Sequence, residues 1–125
     1  MLRNDLVVLA VDDDMINLKL LKSMLMKCDF VKEVIEARNG SDAIGELKNR
    51  DDIDLILLDI IMPIMGGIEM LKVVRADDNL HQLPIIVLTT DETKKSEALE
   101  YGANGFLMKP IRKDDLINKI AAVIL

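Results

Sequence analysis

The sequence predicts an α/β domain in which five βα units wrap helices around both faces of one parallel sheet. Three observations carry that reading. Short apolar runs alternate with segments of helical periodicity along the chain. Two of the runs, Leu55–Leu58 and Ile85–Leu88, are uninterrupted, as a strand covered on both faces must be. Polar residues end four of the runs. Leu6–Val11 stops at Asp12-Asp13-Asp14, Leu55–Leu58 at Asp59, Ile85–Leu88 at Thr89-Thr90, and Gly105–Met108 at Lys109. Parallel strands that finish this way gather their polar groups along one edge, where ligands bind in open α/β sheets.

The elements follow in order. A strand over Leu6–Val11 leads to a helix near Met15–Lys27, with an apolar stripe of Ile16, Leu18, Leu20, Leu21, Met24 and Leu25. Asp14 suits its N-cap. Val31–Ala37 alternates apolar and polar, as a half-covered edge strand does. Asn39-Gly40 turns the chain, and Ser41 or Asp42 caps a helix running to about Lys48. Leu55–Asp59 is the third strand. A loop with Pro63 and Gly66-Gly67 separates it from a helix near Ile68–Arg75. Pro84 opens the fourth strand, Ile85–Thr89. The helix near Glu92–Tyr101 is the most polar and is expected to pack least firmly. Gly102 stops it, Gly105–Lys109 forms the fifth strand, and Pro110 ends that strand. The last helix, near Lys113–Ile124, carries Asp114-Asp115 in its first turn, where the helix dipole favours anions.

Length and composition narrow the function classes. A chain of 125 residues, half of them apolar, reads as a single globular domain over residues 1–125. A net charge of −6 excludes a nucleic-acid surface, which needs clustered Lys and Arg. Phe30, Tyr101 and Phe106 are the aromatic residues, so stacking platforms for bases are absent. No window approaches the ~18 apolar residues of a membrane span, and the N-terminus is unlike a signal peptide. The lone cysteine, Cys28, fits a reducing cytoplasm and reads as part of the core. His81, without a second His or Cys, reads as solvated. The chain ends at Ala121-Ala122-Val123-Ile124-Leu125, consistent with either a free-standing protein or the excised domain of a larger one.

Asp12, Asp13, Asp59, Thr89 and Lys109 form the candidate site. Converging carboxylates repel one another and favour a hard divalent cation with oxygen ligands, for which Mg2+ is the common choice. A lysine and a hydroxyl facing the same ion suit a phosphoryl group, whose charge they neutralise. One carboxylate is then left as a nucleophile that forms an aspartyl phosphate. Asp59 is the best candidate because it stands alone on the central strand, while Asp12 and Asp13 look like metal ligands.

Four segments together resemble the receiver domain of two-component response regulators, of the chemotaxis-regulator type. They are Val11-Asp12-Asp13, Leu58-Asp59-Ile60-Ile61-Met62-Pro63-Ile64-Met65-Gly66-Gly67, Pro84-Ile85-Ile86-Val87-Leu88-Thr89, and Gly105-Phe106-Leu107-Met108-Lys109-Pro110. The resemblance covers essentially the whole chain. It implies a flavodoxin-like (βα)5 fold with strand order 2-1-3-4-5. Asp59 would be the phosphoacceptor, supplied by a histidine kinase or a phosphotransfer protein. Asp13 would ligate Mg2+ (or Mn2+) directly, Asp12 largely through water, and the backbone carbonyl of Ile61 would be a third protein ligand. Lys109 would pair with the phosphoryl oxygens, and Thr89 would move to hydrogen-bond one of them. Phe106 would act with Thr89 as the switch, and the Lys109–Pro110 bond would be cis. The output face would be the fourth helix, fifth strand and fifth helix, meeting an effector or output domain, with a homodimer possible on phosphorylation. No turnover of an external substrate is expected.

Departures from the family pattern matter too. Phe106 stands where a tyrosine is frequent, so phosphorylation would be read out by packing without a hydroxyl. Gly66 replaces a common aspartate, which implies a looser loop. Ile61 and Asp91 occupy positions that tune aspartyl-phosphate hydrolysis in the family. Two other functions compete with the signalling switch. A phosphorylation-independent scaffold would have no need of buried like charges. A hydrolase of the haloacid-dehalogenase type would carry an Asp-x-Asp pair, whereas Ile60-Ile61 follows Asp59.

Overall fold

A computed structural model describes residues 4–124. The strands lie where the apolar runs place them: β1 (Leu6–Val11), β2 (Val31–Ala37), β3 (Leu55–Asp59), β4 (Ile85–Thr89) and β5 (Gly105–Met108). All pair in parallel, in the expected order β2-β1-β3-β4-β5. The connecting helices are α1 (Met15–Met26), α2 (Gly40–Asn49), α3 (Gly67–Ala76), α4 (Lys95–Glu100) and α5 (Lys113–Ile124), with a 3-10 turn at Glu92–Lys94 before α4.

Alternation along the central strands divides the core in two. Val7, Leu9 and Val11 of β1, with Ile56, Leu58, Ile85 and Val87, pack beneath α2, α3 and α4. Leu6, Val8 and Ala10, with Leu55, Leu57, Ile86 and Leu88, pack beneath α1 and α5. Every residue of β1, β3 and β4 is buried, whereas β2 at the sheet edge alternates. Burial on both faces is why the sequence of the central strands carries no polar residue until the strand stops.

The helices correct the sequence reading in places. On α1 the buried residues are Leu18, Leu21 and Leu25, whereas Ile16 and Leu20 are exposed. Each of those two stands two positions from Leu18, about 200° around the helix, and faces solvent. Cys28 lies just past the end of α1 but is buried, as expected of a core residue. Asp14 caps α1, its Oδ1 accepting from the backbone N–H of Ile16 and of Asn17. The cap of α2 is Asn39, not Ser41 or Asp42: its Oδ1 accepts from the Asp42 N–H at 2.8 Å. Gly40, read as a turn residue, is therefore the first residue of the helix, and a Cβ there would collide with the Met65 side chain. The fourth helix is a 3-10 turn followed by the short α4, in which Ala98 is the buried residue.

The loop from Ile60 to Gly66 turns sharply beneath the end of β3. Gly67 donates its N–H to the Ile60 carbonyl at 2.8 Å. A Cβ on Gly67 would strike the Asp59 carbonyl oxygen and come 2.8 Å from the Ile60 Cα, so only glycine lets α3 start this close to Asp59. Ile64, 82% exposed, has a φ of 67°, a left-handed conformation unfavourable for a β-branched residue. Two substitutions should therefore act in opposite directions on the urea-denaturation midpoint. Gly67→Ala is expected to cost about 1–3 kcal/mol through overpacking. Ile64→Asn is expected to gain about 1 kcal/mol, because asparagine tolerates this backbone and little apolar burial is lost.

Candidate functional site

Sheet register brings the site together. Val11 pairs with Leu58, Asp59 with Leu88, and Thr89 with Met108, so the last residues of β1, β3, β4 and β5 lie side by side. Asp12 follows β1, Asp59 ends β3, Thr89 ends β4, and Lys109 follows β5. Carboxylate oxygens of Asp12, Asp13 and Asp59 lie within 4.8 Å of one another. The Lys109 Nζ reaches across them, 2.8 Å from Asp12 Oδ2 and 3.4 Å from Asp59 Oδ1.

Each oxygen has a distinct assignment. Asp12 Oδ1 accepts the Asp14 N–H at 2.9 Å, and its Oδ2 takes the lysine. Asp59 Oδ1 accepts the Ile60 N–H at 2.9 Å and faces Lys109. Asp59 Oδ2 accepts no hydrogen bond among the described residues. The Asp13 carboxylate is exposed and likewise has no hydrogen-bond donor among them. Two carboxylates thus keep open oxygens close to a third, that of Asp12, whose oxygens are already held.

Electrostatics match this geometry. Burial pushes the Asp59 pKa up from 3.8 to about 6; Lys109 and the Ile60 N–H oppose the rise, and Asp12 adds to it. Burial works against the Lys109 ammonium, but the Asp12 hydrogen bond and the charge of Asp59 outweigh it and hold its pKa above the ordinary value. An all-oxygen set of acids, partly buried and under-neutralised by one lysine, fits a hard divalent cation.

The remaining expected residues are near but differently engaged. Thr89 is buried, and its Oγ1 accepts the Asp91 N–H at 3.2 Å, so the hydroxyl serves the loop after β4. Asp91 is itself committed, its Oδ1 accepting from the Thr93 N–H and hydroxyl; these bonds lower its pKa and cap the 3-10 turn. Phe106 is partly buried against the core under α2, α3 and α4. Ile61 is 62% exposed beside Asp59. Gly66 stands at the N-cap of α3 and leaves that helix without a side-chain cap. The Lys109–Pro110 peptide is cis. His81 is exposed and lies in the loop before Pro84, outside the acidic cluster. Arg38, which the sequence reading passed over, donates to the Asp13 carbonyl from 25 positions away. Nothing local in the sequence announces that contact.

Residues 8–121 match the family model described as the response regulator receiver domain. The chain belongs to this family. The receiver is 40% identical over 119 residues to the transcriptional regulatory protein CpxR of Escherichia coli K12, covering 94% of this chain and 48% of that protein. Its fold matches the chemotaxis protein CheY4 of Vibrio cholerae with a TM-score of 0.85 at 32% identity, over 94% of this chain and 98% of the other. It also matches the receiver domain of a sensor histidine kinase from Pseudomonas aeruginosa PAO1, a structure with a magnesium ion coordinated in the active site cleft. That match has a TM-score of 0.86 at 26% identity, over 95% and 97% of the two chains. The receiver spans about half the length of CpxR and 17% of a putative two-component response regulator of Arabidopsis thaliana, 37% identical over 110 residues. The chain thus carries a receiver domain of two-component signalling, and receivers of this family bind Mg2+ at an acidic aspartate cluster. Among the described residues no helix is long and apolar enough to cross a membrane.

The raised Asp59 pKa gives a pH signature in chelator. Because the folded carboxyl holds its proton more tightly than the unfolded one, ionising it opposes folding. That penalty is absent below 3.8, grows between 3.8 and about 6, and is constant above. Asp59→Asn should therefore be more stable than the wild type by about 1–3 kcal/mol at pH 7.5, toward the lower end because water screens the site. Denaturation of both proteins across pH 4–8 should show the advantage shrinking as pH falls toward 4.

Proposed function

We propose that Asp59 is the phosphoacceptor and that the site carries a phosphoryl group from a histidine kinase or phosphotransfer protein to this carboxylate. The observation that carries the reading is the pairing of an open Asp59 Oδ2 with Lys109 Nζ, 3.4 Å from the other oxygen of the same carboxylate. An oxygen of Asp59 attacks phosphorus, the bond from phosphorus to the donor's imidazole nitrogen breaks, and the imidazole keeps the electron pair and takes up a proton. Lys109 stays charged throughout and moves from Asp12 toward the new phosphoryl oxygens. Its elevated pKa suits that task.

Asp12, Asp13, Asp59 and the Ile61 carbonyl are the groups that would hold Mg2+ or Mn2+, with Asp12 acting largely through water. When bound, the cation neutralises phosphoryl charge and aligns the reacting oxygens. Thr89 exchanges its hydrogen bond from the Asp91 N–H for one to the phosphoryl group, and Phe106 fills the space it leaves. The change is read at the face formed by α4, β5 and α5, by an effector, an output domain or a second copy of the phosphorylated chain. The reading includes one receiver unit over residues 1–125, a cytoplasmic setting, and catalysis limited to the chain's own phosphorylation and dephosphorylation. The match to the response regulator receiver family and to the transcriptional regulatory protein CpxR supports it.

Intact mass after incubation with Mg2+ and a small acyl-phosphate donor is the test. One phosphoryl group is expected on the wild type and none on Asp59→Asn, with loss of the signal in chelator. An undiminished signal in Asp59→Asn would overturn the assignment. Lys109→Ala should slow the reaction by about a hundredfold or more, the usual cost of removing one donor to developing negative charge.

A further inference from the structure

The acidic loop after β1 is held at every residue, and one of its clasps comes from outside the site. Asp12 donates its N–H to the Ala37 carbonyl at 3.1 Å, tying the loop to the end of β2. Asp14 donates its N–H to Asp12 and caps α1. Between them, the Asp13 carbonyl accepts both Nε and Nη2 of Arg38, at 3.3 and 3.1 Å. Arg38 stands one residue past β2, and the next residue, Asn39, caps α2. The clasp therefore has a rigid base on both sides. Its two-pronged grip fixes the plane of the Asp13–Asp14 peptide, and the Asp13 carboxylate projects from that backbone with no other donor among the described residues.

We propose that Arg38 is a positioning residue for the metal ligand Asp13. Its guanidinium holds the Asp13 peptide so that the carboxylate meets the oxygens of Asp12 and Asp59 before a cation arrives. Binding then does not have to supply the entropy of ordering the loop. The inference rests on the Mg2+ reading of the acidic cluster. It also has a distinctive sign. Arg38 is a cation beside a site for a dication, so simple electrostatics says that removing it tightens Mg2+ binding, whereas a positioning role says that removing it weakens binding.

Titration calorimetry with Mg2+ alone distinguishes the two. Arg38→Ala is expected to raise the Mg2+ dissociation constant roughly tenfold, the lower end of what outer groups around a metal site contribute. Arg38→Lys, which keeps the charge and loses the two-pronged grip, should weaken binding comparably. In chelator, the Asp14 amide should exchange faster in both variants while the melting temperature stays near that of the wild type. Raising Mg2+ in proportion should restore the phosphorylation rate, which a general folding defect would not allow. Equal or tighter binding in Arg38→Ala would overturn the proposal. So would wild-type binding in Arg38→Lys, or a rate that saturating Mg2+ does not restore. If the wild type itself fails to bind Mg2+, the metal reading falls with it; wild-type binding with unaffected variants removes Arg38 alone.

Discussion

The structure depends on a charge conflict at the carboxyl edge of the sheet. Three carboxylates, those of Asp12, Asp13 and Asp59, face one ammonium, that of Lys109. Asp59 cannot retreat from this conflict. It ends β3, which lies between β1 and β4 and is buried along its length. Its charge stays in place because the Ile60 N–H and Lys109 meet one oxygen, and because the Gly67 backbone closes the loop tightly beneath it. The charge left over is negative and is what a hard divalent cation with oxygen ligands would offset.

Thr89 lies between the site and the segment leading to α4, its carbonyl accepting the Lys109 N–H at 2.8 Å. Its hydroxyl is held by the Asp91 N–H, at the start of the 3-10 turn that leads into α4. The helix beyond is short and buries Ala98 alone among its residues. Its far end is fastened firmly. Arg75 of α3 donates to the Gly102 carbonyl through Nε and Nη2, and to the carbonyls of His81 and Leu83 and the side chain of Asn104. Gly102, at a φ of 103°, permits this approach; a Cβ there would come within 2.8 Å of the guanidine. A displacement of Thr89 would therefore meet α4 at its less firmly packed end, opposite the end that Arg75 ties to α3 and to the segment before β4.

Much of this was legible in the chain. Continuous apolar runs mark strands buried on both faces, because a polar side chain inside them would have no partner. The polar residues that stop the runs mark the site for the same reason. Boundaries at the helix starts were less legible. Asn39 and Gly40 have the composition of a turn, and only the approach of Met65 shows why the glycine is helical. Ile16 and Leu20 look like core by composition, but helix geometry turns them away from Leu18.

The sequence by itself determined the fold class, the limits of the first four strands and the candidate set Asp12, Asp13, Asp59, Thr89 and Lys109, because burial restricts which residues a central strand can hold and where it can end. Tertiary structure decided how those groups divide their bonds. Lys109 sits closer to Asp12 than to Asp59, Thr89 is turned to Asp91, and the Asp13 carboxylate is left open. It also decided that Arg38 clasps the acidic loop. Thr89 and Asp91 are two residues apart, but Lys109 and Asp12 are 97 apart and Arg38 and Asp13 are 25 apart, and the folded sheet brings those pairs within hydrogen-bonding distance. No local pattern of residues encodes that proximity.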